Sequence, residues 1–267
     1  MKLISVVTVV FNDVENIGKT IESVLSQDIS QSELEYIIID GGSTDGTVDV
    51  IKRYINNISV FVSEKDSGIY NAMNKSLKYI TGKWCMFLNS GDTLCKYAFD
   101  ILKIVPNVTT DVAIIHGNVI RSFSQGKVRE KMSFEEGEFP HVCHQAAIIR
   151  SDVMKTFGYN ENYHICADLD FFKKVFDSGY KFFYVNQDIA IYDMNGYSSY
   201  NIIKYAKEKK KIGFKLTPLD MLGFYLKSFL AKLWPLLYNY LWYKSERNKA
   251  NYKDCLLYTS PSPRDRS

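Results

Sequence analysis

Long apolar runs and paired cysteines are both missing from this 267-residue sequence. No stretch of about 18 uninterrupted apolar residues occurs, so the sequence predicts no conventional membrane-spanning helix. The five cysteines are widely spaced and form no C-x-x-C pair, which predicts reduced thiols in a cytosolic compartment. The apolar segment after Met1 and Lys2 is eight residues long, too short for a signal-peptide core, so no signal peptide is expected.

Net charge is small, at +3, but it is unevenly distributed along the chain. Residues 1–200 contain 19 Lys and Arg against 25 Asp and Glu, a net charge of −6. Residues 201–254 contain 12 against 4, a net charge of +8, which predicts an anionic partner. The interleaved Leu, Trp and Tyr side chains favour a membrane surface over nucleic acid, so no nucleic-acid partner is expected.

The first half of the chain alternates between strand and helix patterns. Continuous apolar runs predict buried strands, and an apolar face at helical spacing predicts a helix after each of the first three. This order predicts an α/β fold with a Rossmann-like, mostly parallel central sheet flanked by helices. The predicted strands are Leu3–Val10, Tyr36–Ile39, Ser59–Val62 and Trp84–Leu88. The predicted helices include one capped by Asn12-Asp13, with Ile17, Ile21, Val24 and Leu25 on one face, and two at Thr47–Ile55 and Ile69–Tyr79.

The second half is more mixed. It predicts a helix over Asp168–Asp177 and four more strands, over Val112–Val119, Lys127–Met132, His144–Arg150 and Lys181–Val185.

Polar and glycine-rich segments follow all four strands of the first half. Ligands of parallel sheets bind beyond the carboxyl ends of the strands, so these segments predict a ligand site. The segments are Thr8–Asn12, Asp40–Gly46, Glu64–Gly68 and Asn89–Asp92. Each alone has an ordinary explanation, because Asp-Gly and Asn-Ser-Gly sequences also form tight turns.

Two carboxylates, one in these segments and one in the second half of the chain, suit chemistry on a phosphate-linked substrate. Asp92, at a strand end, is a hard oxygen ligand for a divalent cation, although its tetrapeptide also reads as a turn. Asp168 opens a helix and could act as a general base, or simply favour the helix dipole. His144 could bind phosphate or acceptor, or be a structural histidine in a strand.

The motifs occur together and in order, and the set resembles family 2 inverting glycosyltransferases with a GT-A fold, of the bacterial polysaccharide-assembly type. The resemblance spans residues 3 to about 200. It implies transfer of a sugar from a nucleotide-sugar donor, commonly UDP-linked, to an acceptor hydroxyl with inversion. The segments that carry it are Ser5–Asn12, Ile37–Thr47, Ser63–Lys75, Phe87–Asp92, His144-Gln145 and Ala167–Asp170.

The resemblance also implies roles for individual residues on the donor side. Thr8 and Phe11 would line the nucleotide base, and Asp40 would accept hydrogen bonds from it. Asp66 and Asn74 would face the donor sugar and ribose. Three further positions, Asn89, Ser90 and His144, are expected in donor binding.

For the reaction itself, the resemblance implies that Asp168 is the catalytic base and that Asp92 holds Mg²⁺ or Mn²⁺. One departure from the family pattern bears on the metal. The usual motif has Asp where this chain has Asn89 and Gly91, so Asp92 is the one carboxylate left there. Either this carboxylate suffices together with diphosphate oxygens and water, or metal dependence is weak.

The basic segment 201–254 predicts an amphipathic helical appendage to the catalytic domain, residues 1–200. Within Met221–Tyr243, apolar side chains fall on one broad helical face, and Pro235 should kink or split the helix. The segment would either pack on the domain or bind the membrane interface, which would suit a lipid-linked acceptor; a saccharide acceptor is the other possibility. The expected location is cytoplasmic, peripheral on the inner face of the plasma membrane.

Residues 255–267 resemble a translated sequencing adapter and are predicted to be non-native and disordered; a natural Ser/Pro-rich tail is the alternative.

Two other function classes stay open at this level. A nucleotidyltransferase shares an α/β nucleotide fold but should carry a Gly-rich basic loop near its N-terminus, which Phe11–Thr20 lacks. A non-catalytic nucleotide-sugar-binding module would need neither Asp92 nor Asp168. A dinucleotide-dependent dehydrogenase is disfavoured because no G-x-G-x-x-G sequence follows the first strand.

Overall fold

A sheet of nine strands forms the centre of the described part of the chain. The computed structural model describes residues 2–103, 110–134, 138–140, 142–194 and 201–258, with side chains as far as residue 250. The strands are β1 (Ile4–Val10), β2 (Leu34–Asp40), β3 (Val60–Ser63), β4 (Trp84–Phe87), β5 (Thr93–Leu94), β6 (Val112–Phe123), β7 (Gly126–Glu130), β8 (Ala147–Arg150) and β9 (Lys181–Asp193).

The first four strands are parallel, in the order β3-β2-β1-β4. All seven residues of β1 are buried, because this strand lies between two neighbours and has helices over both faces. Val10 pairs with Asp40 and Val7 with Phe87, so the carboxyl ends of these strands meet at one edge. The predicted mostly parallel α/β sheet is confirmed for this half.

Helices cover both faces of the sheet. Two of them, α1 (Ile17–Leu25) and α2 (Thr47–Lys52), pack on the face that presents Val6 and Val10. The opposite face, which presents Val7 and Val9, is covered by α3 (Ile69–Ser76), α4 (Ser151–Phe157) and α5 (Ala167–Asp177). Burial of these two apolar layers fixes the position of the helix ends that border the site.

The second half of the sheet differs from the sequence prediction. The strand β8 runs antiparallel to both β4 and β6, and β9 extends eight residues past the predicted end at Val185 to pair with β6 and β5. His144–Ala146 forms a single 3₁₀ turn instead of the start of a strand. The His144 and Gln145 side chains hydrogen-bond to polar groups beyond the end of β4.

Three helices follow the sheet: α6 (Ile202–Lys211), α7 (Pro218–Leu233) and α8 (Pro235–Tyr258). Thr217 and Asp220 cap α7 reciprocally, because each side chain accepts a hydrogen bond from the backbone N–H of the other. The predicted break at Pro235 separates α7 from α8. Within the ranges given above, no helix combines the length and apolar character needed to cross a bilayer.

The C-terminal helices pack on the sheet domain as well as on each other. Phe123 of β6 contacts the rings of Trp242 and Tyr243 of α8, with ring centres 5.8 and 5.7 Å away. The last four residues of α8 fall in the segment 255–267, and residues 259–267 lie outside the described residues.

Candidate active site

A cavity of about 870 Å³ opens beside the carboxyl end of β4 and the first turn of α5. Its lining includes Asp92, His144 and Asp168, three residues that the sequence placed in a site. Asn89 and Ser90 line it as well. The fold therefore brings together side chains as far apart in the chain as Asn89 and Asp168, which are separated by 79 positions.

Asp168 lies in the first turn of α5 with its carboxylate held from three sides. Oδ1 accepts a hydrogen bond from the Leu169 N–H (2.8 Å), and Oδ2 lies 3.2 Å from Nδ1 of His144. The Tyr70 hydroxyl lies 3.2 Å from Oδ1 and 2.8 Å from the Ile165 carbonyl oxygen, so these two acceptors share its single proton. Burial raises the pKa of Tyr70 well above its ordinary value, so this hydroxyl stays a donor. A quarter of the Asp168 side chain, 24%, remains exposed. It is thus oriented and open to a substrate.

His144 connects Asp168 to Asn89. The Asn89 amide Nδ2 lies 3.2 Å from Nε2 of His144, on the far side of the ring from Asp168. When Asn89 donates there, Nε2 must be unprotonated, so the imidazole proton sits on Nδ1 and is donated to Asp168. One neutral tautomer satisfies both contacts.

Asp92 is almost fully buried, at 4% exposure, next to this group. Its Oδ2 accepts from Nε2 of Gln145 (3.0 Å) and its Oδ1 from the backbone N–H of Asp193 (3.0 Å). Burial raises the pKa of Asp92 to about 6 despite these hydrogen bonds.

Few protein side chains could join Asp92 as ligands of the expected metal. In the parts of the chain described above, no three His, Cys, Asp or Glu side chains are grouped as a metal site. Each oxygen of Asp92 already accepts one hydrogen bond but keeps a second lone pair. The residues present therefore fit a metal only as one carboxylate among ligands that the substrate would supply.

Two further residues that the sequence placed in a site, Asp40 and Phe11, lie at the ends of β2 and β1. Asp40, at the end of β2, is fully buried, and its Oδ2 accepts from the Gly42 N–H, the Ser43 N–H and the Ser63 hydroxyl. Its Oδ1 is buried without a hydrogen-bond partner among the described residues. Phe11, at the end of β1, is 61% exposed although it is a large apolar side chain. The ends of β1 and β2 thus combine an exposed aromatic ring with a buried acceptor that has no partner.

Gly41 lets Asp66 and Phe11 approach each other. A Cβ at position 41 would lie 2.4 Å from Oδ2 of Asp66 and 3.3 Å from Cδ2 of Phe11, so a side chain there would displace the Asp66 carboxylate. Ser67 and Gly68, which directly follow Asp66, line the large cavity. The chain after Asp66 therefore leads from the ends of β1 and β2 to the cavity.

Two predicted donor-binding residues do not reach this site. Thr8 is fully buried in the middle of β1, where its hydroxyl lies 3.0 Å from the Tyr36 hydroxyl on the face covered by α1. The Asn74 amide is used entirely to tie α3 to a neighbouring loop: it donates to the Tyr159 carbonyl and to Glu161 and accepts from the Tyr159 N–H. Neither side chain is therefore placed to meet a donor in this structure.

Glu208 is a site residue that the sequence did not reveal. This side chain on α6 is 5% exposed and accepts from the backbone N–H groups of His164 (3.0 Å), Ile165 (2.9 Å) and Cys166 (3.0 Å). These residues directly precede α5, whose own N-cap, Cys166, provides no side-chain cap. A carboxylate from the C-terminal segment thus caps the helix that carries Asp168. A single Glu within the Lys-rich run was its sole trace in the sequence.

The parallel half of the sheet, with a carboxylate-lined cavity beyond its strand ends, defines an α/β protein whose ligand site lies at that edge. Residues 5–184 match the family described as Glycosyl transferase family 2, and the chain belongs to this family. The expected fold is confirmed as GT-A.

Named relatives are glycosyltransferases too. The chain is 29% identical to a PGL/p-HBAD biosynthesis glycosyltransferase of Mycobacterium bovis over 212 residues, covering 76% of this chain and 80% of the relative. It is 24% identical to glycosyltransferase AglE of Haloferax volcanii over 203 residues, covering 71% of this chain and 66% of that protein.

Two solved structures share the fold at low sequence identity. S. aureus TarS 1–349 in complex with UDP-GlcNAc has a TM-score of 0.62 at 16% identity, covering 86% of this chain and 73% of the other. The mannosyltransferase PcManGT from Pyrobaculum calidifontis, in complex with GDP-Man and Mn²⁺, has a TM-score of 0.62 at 14% identity, covering 97% and 76%.

Proposed function

We propose that this glycosyltransferase moves a sugar from a UDP-linked donor to an acceptor hydroxyl in one displacement, with inversion at the anomeric carbon. The observation that carries this is Asp168, a carboxylate oriented by His144 and Tyr70 and open to the cavity. Asp168 takes the proton of the acceptor hydroxyl as that oxygen attacks the anomeric carbon opposite the departing nucleoside diphosphate. The mechanism needs no covalent intermediate on the enzyme.

The donor base is proposed to bind beside Phe11 and Asp40, at the ends of β1 and β2. The exposed ring of Phe11 offers a stacking face. The Oδ1 of Asp40 is buried without a partner, so a side-chain movement on donor binding would have to expose it to a base N–H; the single ring N–H of uracil would then satisfy it. Asp66, next to both across Gly41, is placed to meet the ribose or the sugar.

The metal is proposed to bind together with the donor. Asp92 would hold Mg²⁺ or Mn²⁺ with oxygens of the diphosphate, and the cation would neutralise charge on the leaving group. Affinity for the metal should be low without a nucleoside diphosphate, and calorimetry with and without UDP measures the difference. Tight metal binding to the donor-free enzyme that survives Asp92→Ala would contradict this site.

Product analysis on a panel of nucleotide sugars tests the proposal. Release of nucleoside diphosphate indicates sugar transfer, release of pyrophosphate indicates a nucleotidyltransferase, and binding without release indicates a binding module. Asp168→Asn should lower transfer by about 10²-fold or more while donor affinity persists, because general base catalysis is lost. Asp170→Asn is the matched control, since Asp170 forms an ion pair with Lys174 (2.6 Å) on the same helix. Full activity of Asp168→Asn would reject the assignment.

We further propose that the protein acts at the cytoplasmic face of the plasma membrane, in cell-surface polysaccharide assembly. The support is the net charge of +8 in residues 201–254 beside an exposed apolar surface on α7 and α8. A lipid-linked acceptor would be presented at such a surface, and a saccharide acceptor is the alternative. Side chains more than half exposed there are Leu219, Leu222, Leu226, Phe229, Leu233, Trp234 and Leu236.

Vesicle flotation tests the membrane proposal. The full chain should float with anionic vesicles, less at high salt, because each basic residue near the surface contributes about 1 kcal/mol that salt screens. The double variant Leu226→Glu and Phe229→Glu should float less, since both side chains are exposed and their loss leaves the core intact. If the full chain stays in the soluble fraction at low salt, the membrane proposal fails.

A further inference from the structure

The cavity around Asp168 contains a positive charge that the proposed mechanism does not use. Among the residues that line it, six are Asp or Glu and two are Lys or Arg, namely Arg121 and Lys209. A diphosphate or phosphate group entering so acidic a cavity needs a positively charged partner there.

Arg121 is already engaged. Its guanidinium lies 2.5 Å from Glu130 and 3.3 Å from Glu246, and the three side chains are 13–20% exposed. This buried group joins β6, β7 and α8, so the charge of Arg121 is neutralised within the protein.

Lys209, on α6, is held without being neutralised. Within the described part of the chain it forms no salt bridge, and its Nζ lies 5.8 Å from the ring centre of Tyr205 and 5.2 Å from that of Phe214. Both rings also line the cavity, and aromatic faces attract an ammonium without removing its charge. The backbone beside it is fixed by Glu208, which binds residues 164–166.

The position of Lys209 places it on the Asp168 side of the cavity. Its helix contacts the residues just before α5, whereas Phe11 and Asp40 lie at the ends of β1 and β2. A phosphate that contacts Lys209 belongs to one of two substrates. It is part of the diphosphate of a donor whose base lies at the ends of β1 and β2, or it is part of an acceptor that carries a phosphate near its hydroxyl.

We propose that Lys209 is the phosphate-binding residue of this cavity, contacting a phosphate or diphosphate group of a bound substrate. The naming of that group as donor or acceptor rests on the proposed sugar transfer, but phosphate binding itself does not. The C-terminal segment thereby contributes a ligand contact as well as a helix cap to the site.

Calorimetry with two matched pairs of probes tests Lys209 and separates the two sources. The difference in affinity between UDP and uridine measures the contribution of the donor diphosphate. The difference between farnesyl phosphate and farnesol, both in detergent, measures the contribution of a lipid-linked phosphate. Lys209→Met should weaken one phosphorylated probe about tenfold and leave its phosphate-free partner unchanged. Lys209→Arg should keep most of the affinity. Lys210→Met, the neighbouring lysine outside the cavity lining, is the control.

Unchanged affinity of Lys209→Met for both phosphorylated probes would overturn the proposal. So would a wild-type protein that binds neither phosphorylated probe more tightly than its phosphate-free partner. Thermal unfolding checks that each variant is folded, and Lys209→Gln repeats the comparison if the Met variant is not. Phosphate binding that depends on Lys209 in a protein without transferase activity would contradict the proposed function and leave this site standing.

Discussion

The variant Glu208→Gln tests whether residues 201–254 contribute to catalysis by the domain formed by residues 1–200. Glu208 accepts three backbone N–H bonds from residues 164–166, immediately before the helix that carries Asp168. A glutamine carbonyl can keep the two bonds at Oε2, to Ile165 and Cys166, but its amide group then faces the His164 N–H. One hydrogen bond and the negative charge at the helix N-terminus are lost, about 1–3 kcal/mol together.

Glu208→Ala is the more severe change. It leaves all three N–H groups without their acceptor, at about 1–3 kcal/mol for each one that water does not reach. That cost is a large part of a typical stability of about 5–15 kcal/mol, so the Ala variant risks unfolding the protein. The Gln variant is therefore the informative one.

The kinetic consequence of Glu208→Gln should fall on kcat. A shift of residues 164–166 moves Asp168 relative to the acceptor, and a displacement of about 1 Å costs up to roughly 100-fold in rate. The donor KM should change little, because Phe11 and Asp40 are held by β1 and β2. Initial rates over a range of donor concentrations, with chemical denaturation alongside, measure both effects.

Asp220→Asn is the matched control for Glu208→Gln, because Asp220 caps α7 in the same segment and is bonded to Thr217. It should leave kcat unchanged. If Glu208→Gln and a chain ending at Tyr200 both retain full kcat and thermal stability, the C-terminal segment is a separate appendage. The coupling argued from Glu208 would then be wrong.

Two further predictions concern Asp92 in the cavity and Gly41 at the end of β2. Asp92 is buried with a pKa raised to about 6, so its stabilising effect is complete at low pH and is lost as pH rises from about 4 through 6. Asp92 alone should lower the free energy of unfolding by about 3 kcal/mol over that range, measured as the difference between the pH profiles of the wild type and Asp92→Asn, because carboxylates with lowered pKa values act in the opposite direction. Identical pH profiles would contradict the assignment. Gly41→Ala should raise the donor KM several-fold by displacing Asp66, since its Cβ would lie 2.4 Å from that carboxylate. Gly223→Ala, with no atom within 4 Å of its Cβ, is the control, and equal donor KM values in a steady-state assay would reject the clash.

The parallel half of the fold was predictable because its signal is local. A continuous apolar run such as Leu3–Val10 marks a strand covered on both faces, and the structure has that strand at Ile4–Val10. The long strand β9 was harder, because Asn186 and Asp188 interrupt its apolar pattern. Arg129 of β7, a strand that pairs with β6, donates hydrogen bonds to both side chains. Such a partner is distant in sequence, so a local pattern does not predict it.

The site was predictable where function depends on the end of an element. Asp40, Asp92 and Asp168 stand at strand ends or at a helix start, and the fold carries those places to one edge of the sheet. Which face of β1 carries Thr8 was not predictable, because both faces of a fully buried strand look alike in sequence. Glu208 was missed because its partners are backbone N–H groups 42 to 44 positions away, which leave no trace in residue type.

Asn89 occupies one position of the usual metal motif and also contacts His144, the residue beside the proposed base Asp168. An aspartate at position 89 would require a proton on Nε2 of His144, and the contact of Nδ1 with Asp168 would then make the imidazole a cation. A cation beside Asp168 stabilises its carboxylate and makes it a weaker base. The Asn89 amide can donate to Nε2 of a neutral imidazole instead, but it removes one potential metal ligand. Asn89→Asp should therefore raise Mn²⁺ affinity and lower kcat by about tenfold, with uridine binding unchanged. Calorimetry and steady-state rates measure the two effects, and a variant that gains Mn²⁺ affinity without losing rate would show that the neutral imidazole does not matter to the base.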